Sequence, residues 1–349
     1  MGPFGGAMVS PMLPELARGL DTTVATAAGA ITAYMLPFSA LMLVSGTVSG
    51  RWRLGPVVRL SFLAYAAASL VCALAGGPAV FLLGRGLQGA SNAFTTPLLV
   101  TMIGLLVPAD QLGRALGSYA SFTAAGQAFA PLVGGAAAGV DYRWAFVAVA
   151  AVALGLAALT RADVDAPAGR PRWRDLANVA LARASGVAFA AQVGTTGLLL
   201  LAALVATDRF GMPPAPRGLV IAGFGVAGFL SGRWSGRGAD RFGVVRAGVV
   251  SVTVLALGTA AVGVAPAPAL LVAAVLLAGA AAPATRVLVN SLALQSTPSN
   301  RAGATSMALA VQFLGAALVP TVLPLYDASP TAAAAVLGAI CLSGSLLAR

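Results

Sequence analysis

The chain holds 349 residues, of which 59% are hydrophobic and only 9% charged, and its mean hydropathy is +0.91. A soluble domain carries about 25% charged residues, so this composition excludes a soluble globular protein, and long unbroken apolar runs exclude a β-barrel of alternating strands. An all-α integral membrane protein remains. All 21 basic residues are Arg, His is absent, and the formal charge is +11. These arginines fall between apolar segments, not in one basic patch, which argues against a nucleic-acid partner. The two cysteines, Cys72 and Cys341, lie far apart inside apolar runs. With no His and no ligand cluster, the sequence offers neither a metal site nor an acid–base set, so an enzyme is disfavoured and no cofactor is expected.

Runs of about 20 apolar residues predict spans near 4–20, 24–46, 55–75, 78–106, 112–138 and 142–160. A second set falls near 179–206, 215–235, 244–264, 267–291, 301–325 and 329–347. The polar stretch between them, rich in Arg, Asp and Pro, divides the chain into an amino-terminal bundle (1–160), a linker (161–175) and a carboxy-terminal bundle (176–349). Arg placement orients the spans. With both ends cytoplasmic, sixteen arginines lie at or near cytoplasmic ends, four lie outside, and Arg85 is intramembrane. Only 13 residues precede the Pro14-Glu15 turn, so the first helix barely crosses a core of about 30 Å. Either an upstream start or a short first helix accounts for that.

A short motif repeats at an offset of 190 residues. Gly46, Arg51 and Trp52 follow the second span, and Gly236, Asp240, Arg241, Phe242 and Gly243 follow the eighth. Two six-helix halves with matching turns form the arrangement of a two-lobed secondary transporter. Arg85-x-x-Gln88-Gly89 lies in the fourth span, and Gly117, Gly126, Ala130-Pro131 and Gly134-Gly135 punctuate the fifth.

On these motifs the chain resembles the major facilitator superfamily over essentially its whole length, and within it the drug:proton antiporters. The resemblance implies twelve transmembrane helices in two pseudo-symmetric six-helix bundles. It also implies a monomer in the cell membrane, surrounded by lipid, that moves a small-molecule substrate on the energy of a proton gradient. Gly236-x-x-x-Asp240-Arg241-x-Gly243 fits the family's loop motif, whereas the amino-terminal copy carries Gly50 where an acid is expected. The fifth-span pattern fits with Ala130 replacing one Gly, and in the family it accompanies antiport and efflux.

Each motif also has its own physics. An Arg within a span costs about 2.5–3.5 kcal/mol on insertion scales, so Arg85 either faces a partner or wet cavity or snorkels to the interface. Gln88 and Asn92 share its helix face. The fifth-span glycines allow close helix approach, and Pro131 permits a kink. Asp240 can bond helix amino-terminal amides at the cytoplasmic face. No acid lies near the middle of any span, leaving Glu15 as the candidate for proton coupling with Arg85, or as a solvated carboxylate paired with Arg18. The fold resemblance turns Ser10, Gln88, Asn92, Phe94, Phe189, Gln192 and Thr195 toward a substrate cavity, with Tyr34, Gln127 and Gln312 from flanking spans. Such a pocket suits a lipophilic, weakly polar compound. The sequence thus supports proton-coupled efflux of lipophilic drugs or metabolites. Its rivals are an uptake permease or uniporter for a neutral metabolite and a non-transporting membrane scaffold or sensor.

Overall fold

The computed structural model of the chain describes residues 2–48, 53–108, 111–162, 164–165, 176–297 and 301–348. Among these residues the secondary structure is helical, apart from one isolated bridge between Arg53 and Asp165. The chain divides into two compact units, Met1–Pro171 and Arg172–Arg349. The first unit contains α1 (Gly2–Ala7), α2 (Leu13–Gly19), α3 (Val24–Val48), α4 (Leu54–Leu74), α5 (Pro78–Asn92), α6 (Thr96–Leu106), α7 (Leu112–Ala138) and α8 (Arg143–Leu159). In the second lie α9 (Val179–Asp208), α10 (Pro214–Phe242), α11 (Val244–Val264), α12 (Pro268–Ser296), α13 (Arg301–Leu318), α14 (Leu323–Ala328) and α15 (Pro330–Leu347). Nine spans among the described residues are long and apolar enough to cross a membrane, and α8 adds a shorter apolar helix.

Three of the twelve predicted segments are broken helices, and proline or a side-chain hydroxyl explains each break. The first consists of α1, a 3-10 turn at Ser10–Met12 and α2, with Pro11 and Pro14 opening the later pieces, where a missing N–H is tolerated. The fourth is interrupted between α5 and α6, where Pro97 opens α6 and Thr95 Oγ1 donates to the Asn92 carbonyl at 2.8 Å and is 2.7 Å from Asn92 Oδ1. Side-chain bonds of this kind compete with the helical ladder. In the eleventh, Pro320 and Pro324 open a 3-10 turn and α14.

The repeated loop motif is helical where the sequence reading places turns. Gly46 lies within α3, and Gly236, Asp240 and Arg241 lie in the last turns of α10, because nothing before Gly243 stops that helix. The turn itself is Gly243, whose φ of +88° suits glycine alone. Arg51, the amino-terminal counterpart of Arg241, lies outside the described residues, as does most of the 161–175 linker.

In the first unit α3 crosses α5 at Gly89, where a Cβ would collide with the Tyr34 carbonyl. Leu54, Val58 and Phe62 of α4 pack with Leu98 and Met102 of α6 and Ala157 of α8. A main-chain bond from Leu54 N to the Val164 carbonyl, 2.8 Å, ties the start of α4 to the stretch after α8. Phe81 meets Phe146 edge to face at 5.2 Å near the other end. In the second unit α9 is enclosed, with every residue from Leu200 to Ala206 buried.

Candidate functional site

The fourth segment carries Arg85, Gln88 and Asn92 at helical spacing, so all three project from one face of α5. That face meets the first, second and third segments. Arg85 is fully buried. Its Nη2 donates to the Gly5 carbonyl of α1 at 2.9 Å, its Nε to the Ala30 carbonyl of α3 at 3.3 Å, and its Nη1 to Gln88 Oε1 at 2.7 Å. The guanidinium also lies 4.5 Å from the centre of the Tyr34 ring, a cation–π distance. Gln88 passes the network to α4, donating from Nε2 to Ser69 Oγ at 2.7 Å. Asn92 Nδ2 donates to Tyr34 Oη at 2.9 Å.

This burial and bonding replace the snorkelling alternative with partnered charge. None of the named partners is a carboxylate. Carbonyl dipoles, an amide oxygen and an aromatic face carry the stabilisation, which a planar five-donor fork can collect and an ammonium cannot. The arrangement holds the broken first segment against α3 and α5 through main-chain oxygens.

Tyr34, Gln88 and Asn92, read from sequence as cavity-lining, are drawn together here inside the protein with no exposed surface. Ser10 is buried in the 3-10 turn of the first segment. Phe94 packs half-buried against the Leu54–Phe62 cluster, and Gln127 is half-buried on α7. Glu15 lies 3.0 Å from Arg18, its side chain 12% exposed while that of Arg18 is 75% exposed.

The fifth-segment residues sit along α7. Gly117 and Gly126 are helical, and Pro131, Gly134 and Gly135 are buried. At Gly134 the backbone of the first segment comes so near that a Cβ would strike the Met8 carbonyl. The packing motif therefore seats the same segment that Arg85 holds, meeting it at Met8 while Arg85 bonds Gly5.

The second unit has a polar chain of its own. Gln312 Nε2 of α13 donates to Gln192 Oε1 of α9 at 2.8 Å, and Gln192 Nε2 donates to Thr196 Oγ1 at 3.0 Å. Thr195 bonds back to the Ala191 carbonyl at 3.0 Å, and Phe189 lies half-buried on the same helix. Sequence reasoning missed Ser69, Thr95 and Thr196; the last was legible as the residue one turn after Gln192. Arg217, one of the four arginines assigned to the outer side, has a buried side chain that donates to Thr207 Oγ1.

The sequence profile of the Major Facilitator Superfamily matches residues 1–348. The chain belongs to that superfamily. With its apolar spans, this makes it a multi-pass membrane protein. As a superfamily member it is similar to the puromycin resistance protein of Streptomyces alboniger, 31% identical over 151 residues, covering 43% of this chain and 30% of that one. It is also similar to the multidrug resistance protein B homolog of Mycobacterium tuberculosis, 26% identical over 195 residues, covering 56% of this chain and 33% of the other. The chain thus spans about a third of the length of these curated relatives. A crystal structure of the nucleoside transporter NupG shares the superfamily fold with it at a TM-score of 0.76, with 15% identity, covering 99% of this chain and 95% of that one.

Proposed function

We propose that the chain exports small lipophilic molecules across the cell membrane in exchange for protons, by alternating access, as a monomer with both termini cytoplasmic. The observation that carries this reading is the fifth-segment Gly-Pro pattern, which accompanies antiport and efflux in the family and which here seats Gly134 on the Met8 backbone. The puromycin and multidrug resistance names of the matched relatives support it. The half-buried amides of Gln192 and Gln312 beside Phe189 suit a substrate that is mostly apolar with a few hydrogen-bonding groups. Glu15 serves as the proton-exchanging group, and Arg85 fixes the segment that carries it.

The test is dye and drug accumulation in cells lacking their main exporters, expressing this chain or its Arg85→Ala variant, with and without a protonophore. Export predicts lower accumulation with the wild-type chain only, restored by the protonophore. A second reading, uptake of a neutral metabolite, draws on the lack of any acid near the middle of a span. It predicts raised accumulation of the metabolite and indifference to the protonophore.

A further inference from the structure

Among the described residues, the nine spans carry two acids, Asp208 at the end of α9 and Asp327 at the end of α14. Both act electrostatically on Tyr326, together with Arg209. Tyr326 Oη donates to Asp208 Oδ2 at 2.9 Å, tying α14 to α9. Beside this bond opens a cleft of about 290 Å³ lined by Val205, Asp208, Arg209, Tyr326 and Pro330.

The charges around the cleft are unevenly engaged. Arg209 donates from Nη1 to the Ala265 carbonyl at 2.8 Å and from Nη2 to the Gly263 carbonyl at 3.2 Å, so its cation serves the carboxy-terminal end of α11. Arg217 is buried and donates to Thr207. Asp208, Arg209 and Asp327 are all exposed, but the Arg209 side chain has its main-chain partners at the end of α11. The carboxy-terminal ends of α9 and α11, both long helices, meet here through Arg209, and helix carboxy-termini carry negative partial charge. Val205, Tyr326 and Pro330 supply apolar and aromatic wall.

We propose that this cleft in the second unit binds a small organic cation, a protonated or quaternary amine on a compact apolar body. The amine would pair with the Asp208 carboxylate, and the body would lie on Tyr326 and Pro330. Pairing with the carboxylate suits an ammonium, and the tyrosine ring adds attraction for a cation on its face. A volume near the lower end of ligand pockets, which run to about 300–1,000 Å³, selects a ligand of about one ring and its amine. Bound there, the cation spans α9 and α14 on top of the Tyr326–Asp208 bond.

The experiment is equilibrium binding of radiolabelled benzyltrimethylammonium to the full chain in lipid nanodiscs, at low and high salt. The expected result is saturable binding that weakens with salt, falls about tenfold or more in Asp208→Asn, persists in Asp208→Glu and strengthens in Arg209→Gln. Each variant is first checked for a monodisperse, cooperatively unfolding sample, and either Asp208→Asn or Arg209→Gln alone decides the matter. The proposal is overturned if the wild-type chain shows no saturable binding, if binding ignores salt, or if binding is unchanged in folded Asp208→Asn or in folded Arg209→Gln. Because transport is not measured, failure here leaves the export reading standing.

Discussion

Arg85 Nη2 lies 2.9 Å from the carbonyl oxygen of Gly5, a residue 80 positions earlier in the chain. Hydrogen bonds to a charged group are worth about 1.5–3 kcal/mol each, and this one joins the fourth segment to a first segment already broken at Ser10–Met12. Lysine keeps the charge without the planar fork, so Arg85→Lys loses at least one of the three bonds to Gly5, Ala30 and Gln88. The expected outcome is a destabilisation of about 1.5–3 kcal/mol. Thermal unfolding read by a thiol-reactive fluorophore measures it, because Cys72 and Cys341 are free and buried in the folded chain.

Two glycines separate close packing from helix propensity. Alanine at Gly89 drives a methyl into the Tyr34 carbonyl, so Gly89→Ala lowers stability by about 1–3 kcal/mol or more. Gly104 in α6 has no atom near the position of a Cβ, and Gly104→Ala raises stability by about 0.5–1 kcal/mol. The same thiol assay reads both, and shifts of equal sign would refute the packing assignment.

The Gln192–Gln312 bond joins α9 to α13 at 2.8 Å. Side-chain hydrogen bonds between membrane helices couple by about 0.6 kcal/mol on average and up to about 1.7. A double-mutant cycle with Gln192→Leu and Gln312→Leu is expected to return a coupling in that range. In transport assays either single variant is expected to alter substrate preference more than maximal rate; equal losses for every substrate would argue for a packing role alone.

Proton coupling through Glu15 has a direct check. The carboxylate is 12% exposed and paired with a largely exposed Arg18, so Glu15→Gln removes a titrating group with little change in shape. The expected outcome is loss of pH-driven flux with substrate binding retained. Unchanged proton-coupled flux in reconstituted vesicles removes Glu15 from the mechanism.

Much of this fold could be read from hydropathy, because spans of about 20 apolar residues between arginines leave little freedom over where helices lie. The breaks were less legible. Proline at positions 11, 14 and 97 signals the interruptions, but the bonding of Thr95 back to Asn92 at the third of them is visible only in the folded chain. Arg85 was conspicuous as a lone charge in an apolar run. Its partners were not, since the Gly5 and Ala30 carbonyls carry no side-chain signal and Ser69 is an unremarkable hydroxyl in α4. Tyr34, Gln88 and Asn92 were placed at the cavity by the fold resemblance, which names the central spans without saying whether a given residue on them meets a neighbouring helix or water. At the other end of the scale, Gly236 reads as turn and folds as helix, since a single glycine only weakens a helix that Gly243 then ends.

Because two of the three acceptors around Arg85 are main-chain oxygens, no change of side chain along α1 or α3 deletes them as chemical groups. Mutational sensitivity is therefore lopsided: the donor is a single replaceable residue, while the acceptors are lost only when a helix shifts. A saturation library over the first unit should show Arg85 as intolerant of nearly every replacement, while Ala30, whose contribution is its backbone, accepts small residues that leave α3 in place. Within the first two segments the side-chain constraint falls instead on Tyr34, whose ring lies on the guanidinium, and on Gly5, where a Cβ would strike Tyr65 Oη.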